Sequence, residues 1–188
     1  MGFAGCRRIL VLGSGGAGKS TFARALAERL DLPLIHLDRH YWSAGWKPMP
    51  EDQWQQRVRS LASHEAWVMD GNFSATLPAR IARCDAIIFL DLPRWACLWG
   101  VAARWLRHRG RSRPDLAEGC PEKLELEFLR WVWAFPGRSR PHVLAALETA
   151  PASVCVARLV RRSQVRAVLT ALDAELRSTP DVAPTATG

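Results

Sequence analysis

Residues 9–23, ILVLGSGGAGKSTFA, constrain this chain more than any other stretch. Residues 8–12, apolar from Ile9 onward, read as a buried strand. It opens into a glycine loop, and the loop runs into a segment with Phe22, Leu26 and Leu30 at helical spacing. Two phosphate-binding spacings overlap on the same glycines. Gly13, Gly15 and Gly18 satisfy G-x-G-x-x-G, and Gly13, Gly18, Lys19 and Ser20 satisfy G-x-x-x-x-G-K-S.

Residues 19–21 separate the two. In a dinucleotide fold the helix after the third glycine packs tightly on the strand, where Lys-Ser-Thr would bury a charge to no purpose. In a triphosphate loop each residue has a task. Backbone N–H groups across Ser14, Gly15, Gly16, Ala17, Gly18 and Lys19 surround the β-phosphate at the helix N-terminus. Lys19 reaches the β- and γ-phosphates, the Ser20 hydroxyl ligates Mg²⁺, and Thr21 continues the motif into the helix. The chain's own composition would produce this motif by chance about once in a thousand such chains. Asp38 does not discriminate, because a ribose-binding acid would also sit about 20 residues past the loop.

Strand-like runs recur at residues 34–37, 67–69, 86–90 and 154–159. Helical patterns lie between them at 20–30, 51–64 and 163–177. This alternation predicts an α/β fold, a five-stranded parallel sheet with helices on both faces. Such a sheet gathers ligands at the carboxyl ends of its strands. Asp38, Asp70 and Asp91 each follow a predicted strand there, beside the glycine loop. Acids also cap helices and open turns, and Asp91 before Leu92-Pro93 fits that role as well as a functional one. Residues 40–50, HYWSAGWKPMP, read as an aromatic loop. Trp42 and Trp46 there either wall a substrate or pack the neighbouring helices.

Over residues 95–140 the character changes. Arg104, Arg107, Arg109, Arg111 and Arg113 fall within ten residues without an acid, followed by acidic and then aromatic residues. This reads as helix, basic loop, helix: an Arg-rich helical lid inserted in a single domain spanning 1–177. Residues 178–188 are expected to be a disordered tail. The basic run is otherwise a solvated helix face.

The net charge of +8 suits polyanionic partners, nucleic acid or nucleotide phosphates. Of the 26 basic residues only Lys19, Lys47 and Lys123 are lysines, so base composition of the gene explains the arginines equally well. Five cysteines without C-x-x-C spacing argue against a disulfide framework or a zinc site. No apolar run is long enough for a membrane span, and a cytoplasmic protein is expected.

A GTPase would carry N-K-x-D to read guanine, which is absent, and a mechanical ATPase ordinarily needs a longer chain. A small chain with a basic helical insertion suits a small-molecule kinase, in which mobile arginines neutralise the γ-phosphate and exclude water.

The stretches GSGGAGKST, HLDRHYW, WVMDGNFSATLPARIARCDAIIFLDLPR and RGRSRPDLAEGCPEKLELEFLRWVW resemble the adenylate-kinase-like family of P-loop kinases. Within it they are most similar to the DNA topology modulation (FlaR-related) group, over nearly the whole chain to about residue 172. The resemblance implies a P-loop NTPase fold using ATP and Mg²⁺. It implies that Asp70 orders the metal and that Arg104 contacts phosphate. A second lid arginine would fall at Gly100, which leaves its contact missing or made by Arg107. DGNFS lacks the acceptor-binding arginine of the family's DGFPR, which weakens a nucleoside-monophosphate acceptor. Asp38 resembles the acid that takes a hydroxyl proton in other small kinases, as a base for an alcohol acceptor. The expected partners are therefore ATP and a small phosphoryl acceptor. The group's name adds an alternative, a nucleotide-switched DNA-binding protein, which no helix-turn-helix or zinc-finger spacing supports.

Overall fold

Alternating apolar side chains along short β-branched runs build the centre of the molecule. In a computed structural model describing residues 2–109, 115–122 and 124–178, five parallel strands form one sheet. They are β1 (Arg8–Gly13), β2 (Leu34–His36), β5 (Trp67–Asp70), β6 (Ala86–Leu90) and β7 (Cys155–Leu159), in the order β2-β5-β1-β6-β7. Strands β3 (Trp42–Ser43) and β4 (Lys47–Pro48) make a separate antiparallel ribbon. Arg111 and Arg113 of the basic run, and the tail from 179 onward, lie outside the described residues.

The period of two sorts each strand between two cores. Ile9, Val11, Val68, Ile88 and Leu90 face one side, against α1 (Lys19–Leu30) and α8 (Arg162–Ser178). Leu10, Leu12, Met69, Ile87 and Phe89 face the other, against α3 (Glu51–Ala62), α4 (Leu77–Ile81) and α7 (Arg140–Glu148). Helices α5 (Arg94–His108) and α6 (Leu126–Arg138) complete the chain beside the glycine loop. The expected five-stranded parallel sheet with helices on both faces is therefore the fold observed.

Three local readings change. Leu37 is not the last residue of a strand: β2 ends at His36, and Leu37 opens α2 (Leu37–Tyr41), so Asp38 sits in a helical first turn. Strand β5 runs one residue further than its apolar pattern, to Asp70. The aromatic loop contains α2 and the small ribbon, and the region after α6 holds α7, whose weak amphipathic pattern hides it in the sequence. All five cysteines are free, as their spacing implies.

Candidate active site

Strand β1 delivers the chain into the glycine loop, and the loop's backbone is bent as only glycine tolerates. Gly16 and Gly18 have φ of 74° and 93°. The loop closes on itself through Ala17 N–H donating to the Ser14 carbonyl (3.2 Å), which also accepts from Lys19 Nζ (3.1 Å). Ser14 and Ala17 are buried, and Gly18 leads into the first turn of α1, whose N–H groups have no intrahelical acceptor. Helices α5 and α6 press on the loop from outside. An ideal Cβ on Gly16 would lie 2.0 Å from the Cys97 carbonyl oxygen, and one on Gly100 would lie 2.1 Å from the Gly16 carbonyl oxygen. Gly100 is thus the residue that lets α5 touch the loop backbone to backbone. No arginine fits there.

Register places the acids. Asp70 pairs with Val11 of β1 and His36 of β2, and with β2 ending at His36 and β5 at Asp70 the His36 and Asp70 side chains meet at the carboxyl ends of their strands. His36 Nδ1 and Asp70 Oδ1 are 2.7 Å apart, both side chains nearly excluded from solvent. Burial lowers the Lys19 pKa; the carboxylates of Asp70 and Asp38 oppose that shift and the Arg104 guanidinium adds to it. Lys19, both acids and Arg104 therefore share one electrostatic neighbourhood.

Lys19, Asp38 and Arg104 border a cavity of about 570 Å³. Its phosphate-loop end is formed by Gly15, Lys19, Ser20 and Arg104. Its floor is the turn Gly71, Asn72 and Phe73. Its far end carries Asp38, Trp42, Trp46 and side chains from residues 115–131. Asp70, buried and outside the lining, immediately precedes this turn in the chain. Thr21 is exposed and outside the lining, as is Arg107. Arg107 shares the Gly100 face of α5 but lies about 10 Å further along the helix axis. Arg104 lines the cavity and donates from Nε to Glu122 Oε1 at 2.8 Å.

Sequence reasoning missed three residues that shape this site. Asn72 clamps the loop: its Oδ1 accepts from Gly13 N–H (3.0 Å) and its Nδ2 donates to the Gly13 carbonyl (2.7 Å). His36 holds one oxygen of Asp70. Arg80, fully buried, donates to the carbonyls of Gly71 (2.9 Å), Asn72 and Phe73 (2.9 Å), fixing a turn in which Phe73 adopts φ 38°. Burial pushes its guanidinium down to about 9, still charged at neutral pH. None of the three carries a local signal in the sequence: His36 meets Asp70 at a separation of 34 residues and Asn72 meets Gly13 at 59.

Two ambiguities resolve in structural terms. Asp91 accepts from Arg140 Nε (2.9 Å) and Arg158 Nε (2.7 Å), tying the start of α7 to β7 away from the cavity. Trp42 and Trp46 line the cavity and also pack on each other, ring centroids 5.6 Å apart at 69°. Trp46 Nε1 donates to the Pro121 carbonyl (3.2 Å), and Gly45 N–H to that of Gly119 (2.9 Å), so the ribbon is fastened to the segment opposite. Part of the basic run is engaged within the chain, Arg104 on Glu122 and Arg109 over the Trp105 ring.

A bound Mg²⁺ fits this donor set. The Ser20 hydroxyl borders the loop, the Asp70 carboxylate has a second oxygen beyond the one held by His36, and a magnesium ion takes its remaining ligands from phosphates and water. Among the described residues no helix is long and apolar enough to cross a membrane.

No protein-family model matches the chain. No curated protein matches it either. Its fold is similar to that of solved shikimate kinases. One, from Bacteroides thetaiotaomicron, is 20% identical over 92% of this chain and 99% of that one, with a TM-score of 0.53. Another, from Acinetobacter baumannii in complex with shikimate, is 17% identical over 95% and 97%, with a TM-score of 0.56. At these identities the likeness shows the fold alone, that of a P-loop NTPase. It lends no support to the DNA-binding alternative.

Proposed function

We propose that this chain is an ATP–Mg²⁺-dependent phosphotransferase that phosphorylates a hydroxyl group of a small molecule. The observation that carries the reading is convergence. Gly15 of the triphosphate loop, Lys19, Ser20, Arg104 and Asp38 border one cavity, and the buried Asp70 carboxylate acts electrostatically on Lys19. The shared fold with solved kinases supports it.

In this reading the glycine loop and the α1 N-terminus hold the triphosphate. Ser20 and Asp70 would hold Mg²⁺, which would supply neutralisation of phosphate charge. Asp38 takes the proton of the acceptor hydroxyl as its oxygen bonds to the γ-phosphorus. The bond from that phosphorus to the β–γ bridging oxygen breaks, and ADP leaves. Lys19 and Arg104 offset the negative charge on the transferring group. Enclosure of the cavity by the ribbon and the 115–131 region limits hydrolysis. The finer assignment to the topology-modulation group rests on the quoted motifs, and a cytoplasmic location on the absence of a long apolar run.

The test is ADP release from ATP–Mg²⁺ across hydroxyl acceptors. Lys19→Ala and Asp38→Asn should each lose at least a hundredfold in turnover with the fold intact, and Asp38→Asn should still bind ATP. Wild-type turnover in Lys19→Ala refutes the reading.

A further inference from the structure

Helix α5 carries two apolar stripes where a surface helix needs one. Cys97 and Val101 are buried toward the glycine loop, beside Gly100. On the other side Trp95, Trp99 and Leu106 are 67%, 74% and 70% exposed. Their spacing aligns them along one edge of the helix, a line about 16 Å long. Trp133 of α6 extends the patch: its ring meets that of Trp95 edge to face at 4.6 Å and is itself partly exposed. Single apolar residues at a surface are ordinary, whereas a continuous stripe of indoles and a leucine marks a contact surface.

We infer that this face of α5 seats the protein on an anionic phospholipid surface, the helix lying flat in the headgroup layer. Charge complementarity decides the occupant. Helix α5 contains no Asp or Glu. Helical phase puts Arg94 and Arg107 on opposite flanks of the stripe, roughly 100° to either side, and Arg109 closes its end. Among the described residues none of these three arginines has a carboxylate partner; Arg94 and Arg109 lie over the Trp133 and Trp105 rings. Arg162 of α8 donates to the Ala96 carbonyl (3.1 Å), which brings a further cation to the start of the stripe. Arginines flanking an apolar stripe lay their stems along it and reach lipid phosphates with their heads. Indoles settle at the same depth, ring in the acyl boundary and N–H toward the headgroups. The net charge of +8 adds long-range attraction.

Other occupants fit less well. A second copy laid on the same stripe would oppose these arginines with its own, and α5 offers no carboxylate in answer. The stripe presents roughly 500 Å², short of the ~800 Å² per partner of a stable interface. Duplex DNA would take the arginines and leave the indoles facing phosphate and water. Arg104, which lines the cavity, projects from the opposite side of α5, so a seated protein keeps its cavity uncovered.

The experiment is co-sedimentation of the full chain with vesicles of phosphatidylcholine, alone or with about one-third phosphatidylglycerol. Brominated phosphatidylcholine in the same vesicles reports, by quenching of tryptophan fluorescence, whether indoles enter the acyl boundary. The expected result is binding at least tenfold tighter to the anionic vesicles, weakening as salt rises, with quenching. Trp99→Gln/Leu106→Gln should lose at least tenfold in vesicle affinity and most of the quenching, with the circular dichroism of the wild type. Leu176→Gln, at an exposed apolar position on α8, should bind as the wild type does. Absent binding to the anionic vesicles overturns the inference. Binding without quenching, or binding that the double variant retains in full, is charge attraction alone and overturns it too. A dimer in light scattering that the double variant dissociates assigns the stripe to a second copy and also overturns it. None of these readouts depends on phosphotransfer, so the kinase reading stands or falls separately.

Discussion

Replacing Gly100 by alanine tests how the glycine loop is held. The added methyl would lie 2.1 Å from the Gly16 carbonyl oxygen and 3.0 Å from its carbon. Both are backbone atoms with no rotamer by which to yield. Restoring the 3.4 Å of ordinary contact requires α5 and the loop to part by about 1.3 Å. Two effects oppose each other. Alanine in a helix interior gains about 1 kcal/mol over glycine. Overpacking against a rigid neighbour costs about 1–3 kcal/mol, and the upper end applies where backbone meets backbone. The net expectation is a loss of about 1–2 kcal/mol, read as a fall in melting temperature of roughly 2–8 °C for a chain of this size. ATP affinity should fall about tenfold in parallel, because the displaced residue belongs to the phosphate cradle. Gly137→Ala in α6 is the control. Nothing lies within 4 Å of its Cβ position, so it should stabilise by up to about 1 kcal/mol. Differential scanning calorimetry and nucleotide titration measure both variants. If Gly100→Ala matches the control in stability and the wild type in affinity, α5 is not seated on the loop and the reasoning fails.

Other substitutions probe the floor of the cavity and the base of the sheet. Asn72→Ala removes both hydrogen bonds to Gly13 and should cost about 1–3 kcal/mol in urea unfolding, together with weaker ATP binding. Arg80→Leu strips donors from three carbonyls and should cost about 3 kcal/mol or more; Arg80→Lys should restore only part, since an ammonium cannot span them as a planar fork does. Asp85 carries a pH prediction. Burial opposes its ionisation, but the Arg8 side chain and the N–H groups of Arg7 and Arg8 outweigh that and hold its carboxyl below 3.8. A carboxyl depressed in the folded state contributes stability above its unfolded pKa and loses it as pH falls through the folded value. Asp85→Asn should therefore cost about 1 kcal/mol at pH 7 for this partly exposed pair, and the gap should narrow in urea titrations as pH falls below 3.8.

What the sequence disclosed and what it hid divide along one line. The glycine loop, α1 and the central strands were legible because each is encoded locally, by a period of two, a period of 3.6, or glycines at fixed offsets. Asp38 and Asp70 could be brought to one sheet edge because parallel topology alone puts strand ends together. Arg107 entered through the family resemblance, as the alternative to a contact missing at Gly100; it is exposed and outside the cavity lining. Leu37 shows the limit of an apolar pattern. A run of four hydrophobic-compatible residues does not say where strand yields to helix, and here the chain turns one residue early, carrying Asp38 into a first helical turn. His36, Asn72 and Arg80 had no local signal at all. His36 acquires its partner 34 residues away through the β2–β5 register, and Asn72 finds Gly13 at a separation of 59. Arg80 looks in the sequence like one more surface arginine in an arginine-rich chain, yet it is fully buried and its only role is to hold carbonyls. The two kinds of residue do different work. Locally encoded groups supply the chemistry the cavity can perform, whereas groups defined by register hold that chemistry in place: His36 fixes Asp70, Asn72 fixes the first loop glycine, Arg80 fixes Asn72. A chain from Arg80 through the Gly71–Phe73 turn to Gly13 therefore couples the acceptor floor to the phosphate loop, and substitutions along it should shift both ends of the site together.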